Sequence, residues 1–310
     1  MARAVNYLYT QETKSSYAIE GEAPSGGRSE RFVAALANAE SFNPLDIAEF
    51  VRLQNAIVDP RYGQAGWRTG QNYVSGTKSD FSEHVYYAGP KPEHVASLME
   101  GWMQMVFRLK QSAIDPVFAA AAASFGFVFN HPFEDGNGRI HRFLIHHMLA
   151  STKFAPGGLL FPVSAVMLRE RREYDRVLNT FSSAIMPFIT YQLDREGRMT
   201  VLNDTARLYR FWDATRFAEY LYSCVAETIR KDIGEEIGFL KAFDEALRKT
   251  AEIVDMPDRR AALLVKLILQ NKGRLAGNRR EQFAELRDDE LLAIEAAIRE
   301  SAVARGQPSA

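Results

Sequence analysis

The sequence predicts a mainly α-helical, soluble protein. Helical periodicity recurs along most of the 310 residues, and only two short pairs of β-like segments interrupt it. No repeat of 20–50 residues is visible, which argues against solenoids and propellers. The apolar fraction of 46% and the charged fraction of 25% are those of ordinary globular proteins. We therefore expect one large helical body followed by a helical C-terminal part.

Helix start signals support this fold class. Asn43 and Pro44 precede a helical pattern that runs from Asp46 to Ile57. Asp115 and Pro116 open a long apolar helix, and Asp213 precedes an amphipathic one. A soft boundary near 205–213 separates the body from the C-terminal part. Further helical periodicity covers roughly 235–252, 258–271 and 288–303.

Two hairpins are the predicted β structure. Segments 72–75 and 83–87 flank a loop that contains Gly, Ser and Asp. Segments 189–193 and 199–203 form the second candidate pair, across a turn that contains Gly197. Two isolated hairpins do not make a sheet protein, so the helical class stands.

Composition excludes several classes of function. A net charge of −1 disfavours general nucleic-acid binding. The single cysteine, Cys224, cannot form an internal disulfide or a thiolate metal site. The most apolar stretch, 116–129, is too short to span a bilayer, and the first residues show no secretory signal. We expect a cytoplasmic protein that binds neither nucleic acid nor membrane.

The segment that carries chemistry lies between the long apolar helix and the next one. Gly136, Asn137 and Gly138 favour a tight turn that leaves backbone N–H groups bare at a helix start, which forms an anion site. Arg139 and Arg142 are three residues apart on the following helix, so both can hold one anion. Two arginines suit a polyphosphate.

Two more residues of this segment suit group transfer. Asp135 is a hard oxygen ligand beside the anion site, and one carboxylate with substrate phosphates is a common arrangement for Mg²⁺. His131 is a candidate general base. Together these residues indicate phosphoryl or nucleotidyl transfer to a hydroxyl.

Residues 131–142 resemble the core motif of the Fic domain family, His-Pro-Phe-x-(Asp/Glu)-Gly-Asn-(Gly/Lys)-Arg-x-x-Arg, at every specified position. The resemblance implies a Fic-type helical domain that transfers AMP from ATP to a Ser, Thr or Tyr hydroxyl of a target protein and releases pyrophosphate. His131 would be the base, Asp135 the Mg²⁺ ligand, and Phe133 the anchor of the loop. The phosphates would lie against Gly136, Asn137, Gly138, Arg139 and Arg142. Gly138, where the Doc kinase-like branch has Lys, favours nucleotidyl transfer.

A second segment is similar to the inhibitory motif of one Fic branch, (Ser/Thr)-x-x-x-Glu-(Gly/Asn). Ser16 and Glu20 occupy its two defining positions. The resemblance implies that Glu20 pairs with Arg142. A carboxylate and a γ-phosphate both need that guanidinium, so we expect autoinhibition. The resemblance gives three parts: an N-terminal segment with an inhibitory helix (1–25), a Fic catalytic domain (26–205) and a helical C-terminal region (206–310).

Further expectations follow from the resemblance. The 72–87 hairpin corresponds to the flap that holds a target segment as an added strand. Tyr174 lies where the family often has a tyrosine near the nucleotide, so it is a candidate nucleotide contact. The sequence leaves open whether AMP is added or removed and whether CTP, GTP or UTP replaces ATP. Self-modification, homo-oligomerisation and a non-catalytic nucleotide-binding role also stay open.

Overall fold

The computed structural model describes residues 2–77, 83–154 and 159–303, and the chain forms two compact units, Met1–Ile229 and Arg230–Ala310. The mainly α-helical class is confirmed. The helices of the first unit are α1 (Ala2–Ile19), α2 (Gly26–Ala37), α3 (Ile47–Ile57), α4 (Pro92–Gln111), α5 (Pro116–Asn130), α6 (Asn137–Ser151), α7 (Val163–Arg169), α8 (Arg171–Ile185), α9 (Ala206–Arg210) and α10 (Thr215–Glu227). Short 3-10 turns lie at Ala39–Ser41, Pro60–Tyr62 and Met186–Phe188.

The centre of the first unit is the packed pair α5 and α6. Asp115 caps α5 by accepting hydrogen bonds from the Val117 and Phe118 N–H groups at 2.8 and 3.1 Å. Almost every side chain of α5 and α6 is buried, because neighbouring helices cover both. The loop between α5 and α6 is therefore held at both ends by the core, which fixes the position of the motif residues.

Helix α1 is docked against the body by a fully buried carboxylate. Glu12 accepts a hydrogen bond from the Ser164 N–H group at 2.9 Å, in the first turn of α7, and another from the Ser164 hydroxyl. The His146 Nε2 atom lies 2.9 Å from Glu12 Oε1. This buried polar cluster sets where the end of α1 lies relative to α6.

Both predicted hairpins are present as antiparallel pairs. Strand β1 (Tyr73–Thr77) pairs with β2 (Glu83–Ala88), with a bulge between Val74 and Ser75. Strand β3 (Tyr191–Leu193) pairs with β4 (Met199–Val201). The Tyr73 hydroxyl donates a hydrogen bond of 2.7 Å to the Gly197 carbonyl, so the first hairpin contacts the turn of the second. Residues 78–82 of the proposed flap lie outside the described residues.

The second unit is a separate helical cluster. It contains α11 (Gly234–Ile253), α12 (Asp258–Gln270), a 3-10 turn at Gly277–Phe283 and α13 (Asp288–Val303). A π-helical turn, Thr228–Ile233, spans the boundary between the units. The fully buried residues of the second unit include Leu264, Val265, Ile268, Phe283 and Ile294.

The boundary between the units falls later than the 205–213 region that the sequence suggested. Helix α10 belongs to the first unit because its apolar face packs on α5. The Phe217 ring lies 4.9 Å from Phe125 and 5.2 Å from Phe129, measured between ring centroids. Among the residues that the structure describes, no helix is both long and apolar enough to cross a bilayer.

Candidate active site

The loop between α5 and α6 is shaped by two residues in the left-handed backbone region. His131 ends α5 with φ 44° and ψ 57°, and Gly136 precedes α6 with φ 93°. A positive φ is uncommon for a residue other than glycine and costs about 1–3 kcal/mol, so surrounding contacts must hold His131 there. Phe133 is fully buried, with its ring edge-on to Trp67 at 5.1 Å.

The Asn137 side chain closes the loop. Its Oδ1 atom accepts a hydrogen bond from the Phe133 N–H group at 2.9 Å, and its Nδ2 atom donates to the Phe133 carbonyl at 2.7 Å. The side chain is 2% exposed. Asn137 therefore fixes the loop through its side chain, and a contact with phosphate through its backbone stays a prediction.

Glu20 lies at the start of α6, where the sequence predicts an anion. It follows the last residue of α1, and a Cβ atom at position 138 would overlap its Oε1 atom. Only glycine at position 138 leaves room for a group this close to the helix. The carboxylate also complements the positive end of the helix dipole.

Arg142 is completely buried and meets the predicted inhibitory motif. Its Nη2 atom donates to Glu20 Oε1 at 2.7 Å and to the Ser16 carbonyl at 2.9 Å, while its Nε donates to the Ser16 hydroxyl at 2.8 Å. Burial opposes the charges, yet the ion pair lowers the pKa of Glu20 and raises that of Arg142. The two predicted motifs thus meet in space.

Tyr174 lies behind Arg142. Its side chain is 3% exposed, its hydroxyl is 3.4 Å from Arg142 Nη1, and its ring stacks between those of His141 and Tyr220. Burial raises the pKa of Tyr174, so the hydroxyl is neutral. This geometry gives Tyr174 a role in supporting Arg142, and its contact with a nucleotide stays a prediction.

Arg139 also faces a carboxylate from the N-terminal segment. Glu22 lies 3.1 and 3.3 Å from its Nη2 and Nη1 atoms. Arg139 Nη2 also contacts Asp135 at 2.6 Å, and Nη1 donates to the Ile57 carbonyl at 3.2 Å. The sequence analysis missed Glu22, although its position two residues after Glu20 is a usable signal.

Asp135 carries the predicted metal-ligating carboxylate. Its Oδ1 atom accepts hydrogen bonds of 2.6 Å from both Arg139 Nη2 and the Gly136 N–H group. Among the described residues, no three His, Cys, Asp or Glu side chains converge as a metal-binding cluster. One hard oxygen donor beside an anion site fits Mg²⁺ that phosphates largely coordinate.

His131 is half-buried with one nitrogen engaged. Its Nδ1 atom lies 3.1 Å from the Val128 carbonyl. Because a carbonyl only accepts, Nδ1 carries the hydrogen and Nε2 keeps its lone pair in the neutral ring. Burial and the Arg68 charge lower the pKa of His131 to about 4. The side chain is therefore a neutral proton acceptor near pH 7.

The base of the first hairpin is bonded to this loop. Arg68 Nε donates to the His131 carbonyl at 2.7 Å, and the Arg68 N–H group donates to the Pro132 carbonyl at 2.8 Å. Asn72 Nδ2 donates to the Phe133 carbonyl at 3.1 Å. The sequence analysis did not single out Arg68 or Asn72, because isolated polar residues before a strand carry no motif.

In this helical unit, the carboxylates of Glu20 and Glu22 lie opposite two buried arginines at the start of α6. Residues 44–149 match the Fic/DOC family model. The matched residues include the 131–142 motif, whose resemblance pointed to the same family.

Proteins named for the Fic family are among the relatives to which this chain is similar. The chain is 31% identical over 150 residues to protein adenylyltransferase Fic of Drosophila virilis, which is 48% of this chain and 27% of the relative. It is 30% identical over 162 residues to the Drosophila ananassae protein of the same name, 52% of this chain and 29% of the relative. The matches span only about a quarter of the length of these relatives.

Solved structures show the same fold. A Fic family protein from Desulfovibrio desulfuricans G20 superposes with a TM-score of 0.55 at 18% identity, over 87% of this chain and 79% of that one. A Fic domain-containing signalling protein from Bacteroides thetaiotaomicron VPI-5482 gives 0.56 at 16% identity, over 76% and 90%. At these identities the likeness concerns the fold alone.

Proposed function

We propose that this protein is an autoinhibited protein adenylyltransferase that transfers AMP from ATP to a Ser, Thr or Tyr hydroxyl of a target protein. The observation that carries the proposal is the ion pair between Glu20 and Arg142 at the start of α6. The carboxylate occupies a site suited to phosphate, because a helix N-terminus and two buried guanidinium groups converge there. A protein-supplied anion at such a site is what a competitive internal inhibitor requires.

The chain's own residues account for binding. Once Glu20 leaves, Arg142 and Arg139 present their guanidinium groups to the β- and γ-phosphates, and the first turn of α6 presents backbone N–H groups. Mg²⁺, held by Asp135 and the phosphates, would neutralise charge on the nucleotide. Preorganised donors of this kind are worth about 10²–10³ in rate each.

His131 supplies the proton acceptor. The target hydroxyl oxygen forms a bond to the α-phosphorus, the bond between that phosphorus and the bridging oxygen to the β-phosphate breaks, and pyrophosphate leaves. The hydroxyl proton moves to Nε2 of His131, which is unprotonated because Nδ1 carries the hydrogen toward Val128. A positioned base contributes about 10²–10⁴ in rate.

The target protein would dock at the 72–87 hairpin, where β1 and β2 offer strand edges for pairing. No motif in the sequence identifies a pocket for adenine, so the choice among ATP, CTP, GTP and UTP is an outcome of the experiment below. Removal of AMP, with Glu20 orienting a water, is the alternative activity of the same site.

The test is incubation with α-labelled ATP and Mg²⁺ in the presence of a lysate. Glu20→Gly should label protein strongly, wild type weakly, and Glu20→Gly combined with His131→Ala not at all. Glu20→Gln keeps the shape of the side chain and removes its charge, so its labelling should lie between wild type and Glu20→Gly. CTP, GTP and UTP are run in parallel.

Two outcomes would contradict the proposal. Nucleotide binding by Glu20→Gly without transfer to any protein, including itself, rejects AMP transfer. Loss of AMP release from a pre-modified protein on Glu20→Gly, with no gain of labelling, would favour the hydrolytic alternative.

A further inference from the structure

Arg68 lies outside the motif and is one of the least exposed charged residues of the first unit. Its side chain is 2% exposed, and its three nitrogen donors each meet a backbone carbonyl. Nε donates to His131 at 2.7 Å, Nη1 to Gly70 at 2.6 Å and Nη2 to Pro90 at 2.5 Å. All three partners are neutral.

This pairing sets Arg68 apart from Arg139 and Arg142. Within the described ranges, no carboxylate forms an ion pair with Arg68, although a buried charge is normally paired. Burial accordingly lowers the pKa of Arg68. The Glu134 carboxylate also acts on this charge, from beyond ion-pair distance. A buried guanidinium whose direct partners are all carbonyls is costly, so its position requires a reason beyond packing.

The partners supply that reason. His131 is the residue in the left-handed conformation, and Gly70 and Pro90 lie just before β1 and just after β2. The Arg68 N–H group also binds the Pro132 carbonyl at 2.8 Å. One residue thus holds two successive carbonyls of the catalytic loop and both ends of the hairpin that leads to the proposed flap.

The charge of Arg68 acts on the same imidazole. After burial, it is the second cause that lowers the pKa of His131 to about 4, while the Val128 hydrogen bond and the carboxylates of Glu20 and Asp135 act in the opposite direction. The hydrogen bonds of Arg68 and its charge therefore both act on His131.

We propose that Arg68 is a positioning residue for the transfer reaction, which fixes the His131 backbone against the hairpin base and places a fixed positive charge beside the imidazole. This inference rests on the proposed function. Arg68 does not touch the reacting atoms; it acts through His131.

The test compares Arg68→Met and Arg68→Lys in the active Glu20→Gly background. Arg61→Met and Arg61→Lys are matched controls, because Arg61 is 79% exposed and pairs only with Asp59. The His131 pKa is measured by NMR titration of its ring protons, and kcat and KM for ATP are measured by label transfer. Arg68→Met should raise the pKa of His131 by about one unit or more and lower kcat about tenfold or more, with KM changed less.

Arg68→Lys separates the two parts of the role. The ammonium keeps the charge but cannot bridge three carbonyls in a fixed plane. It should leave the pKa of His131 low and still reduce kcat. This variant also decides the matter if Arg68→Met does not fold.

Three results would overturn the inference: an unchanged His131 pKa in Arg68→Met, unchanged kcat in Arg68→Lys, or equal effects in the Arg61 controls. If the Glu20→Gly parent transfers nothing, the proposed function fails. The NMR titration then still tests whether the charge of Arg68 acts on His131.

Discussion

The two sides of the loop between α5 and α6 use arginine in opposite ways. On the N-terminal side, Arg142 and Arg139 face the carboxylates of Glu20 and Glu22, which come from a separate segment. On the hairpin side, the side chain of Arg68 donates its hydrogen bonds to carbonyls of the loop and the hairpin base. All three arginines are buried, so exposure does not distinguish them.

The difference is in the partners: those of Arg142 and Arg139 can be exchanged for a ligand, whereas those of Arg68 are fixed in the backbone. A side-chain carboxylate can be replaced by a phosphate, because both anions accept hydrogen bonds from guanidinium in the same geometry. A set of backbone carbonyls cannot be replaced without moving the chain. The N-terminal side is therefore suited to regulation and ligand binding, and the hairpin side to holding His131 in place.

As the pH falls below neutral, the protein should lose stability because buried neutral histidines resist protonation in the folded state. The pKa values of His131 and His147 are lowered to about 4, and that of His141 to about 3, in each case chiefly by burial. The unfolded chain binds these protons near pH 6.5. Stability from these groups is therefore present above about pH 6.5 and is lost as pH falls toward their folded pKa values.

Urea unfolding between about pH 7 and pH 5 measures this effect. Each histidine contributes up to about 1.4 kcal/mol per pH unit, so the three together give up to about 4 kcal/mol per unit. His147→Asn offers a donor to replace the 2.7 Å bond between Nδ1 and the Ala39 carbonyl and removes one titrating group. Its slope should be smaller by about one proton; an unchanged slope, or a flat wild-type profile, contradicts the account.

A smaller effect is expected at Glu22, the second carboxylate of the N-terminal side. Its side chain is 33% exposed and is shared between Arg139 and Arg28. Solvent weakens such a pair to about 0.2–1 kcal/mol. Glu22→Gln in the Glu20→Gly background should therefore raise AMP transfer about 1.5- to 5-fold beyond Glu20→Gly alone.

Glu100→Gln, an exposed acid on α4, controls for the change in net charge. If Glu22→Gln alone raises AMP transfer more than Glu20→Gly does, Glu20 is not the principal competitor and this account is wrong.

Local patterns made much of this site readable from the sequence. Helical periodicity located α3, α5 and α10, and Asp115 is the cap of α5 as predicted, whereas Asp46 caps α3 in place of Asn43. The hairpins lie close to the short strand signals of the sequence. The loop motif is contiguous, so its residues are brought together by a single turn. The pairing of Glu20 with Arg142 was predicted from the family resemblance, since no spacing rule connects residues 122 positions apart.

Tertiary contacts account for what the sequence could not provide. Arg68 acts through four backbone carbonyls. Every residue type carries the same backbone carbonyl, so the sequence does not reveal these partners. The place of Tyr174 behind Arg142 depends on how α8 packs beside α6. The end of the first compact unit depends on aromatic packing between α10 and α5 rather than on a change in composition.

The central claim is that Glu20 and the nucleotide's γ-phosphate compete for Arg142. The most direct measurement is the ratio of the Kd values for Mg-ADP and Mg-ATP by calorimetry, in the His131→Ala background so that ATP is not consumed. With Glu20 present, the ratio should stay near one. With Glu20→Gly, ATP should bind at least about tenfold more tightly than ADP, as expected for one charge-assisted contact. Equal ratios with and without Glu20 would contradict the account.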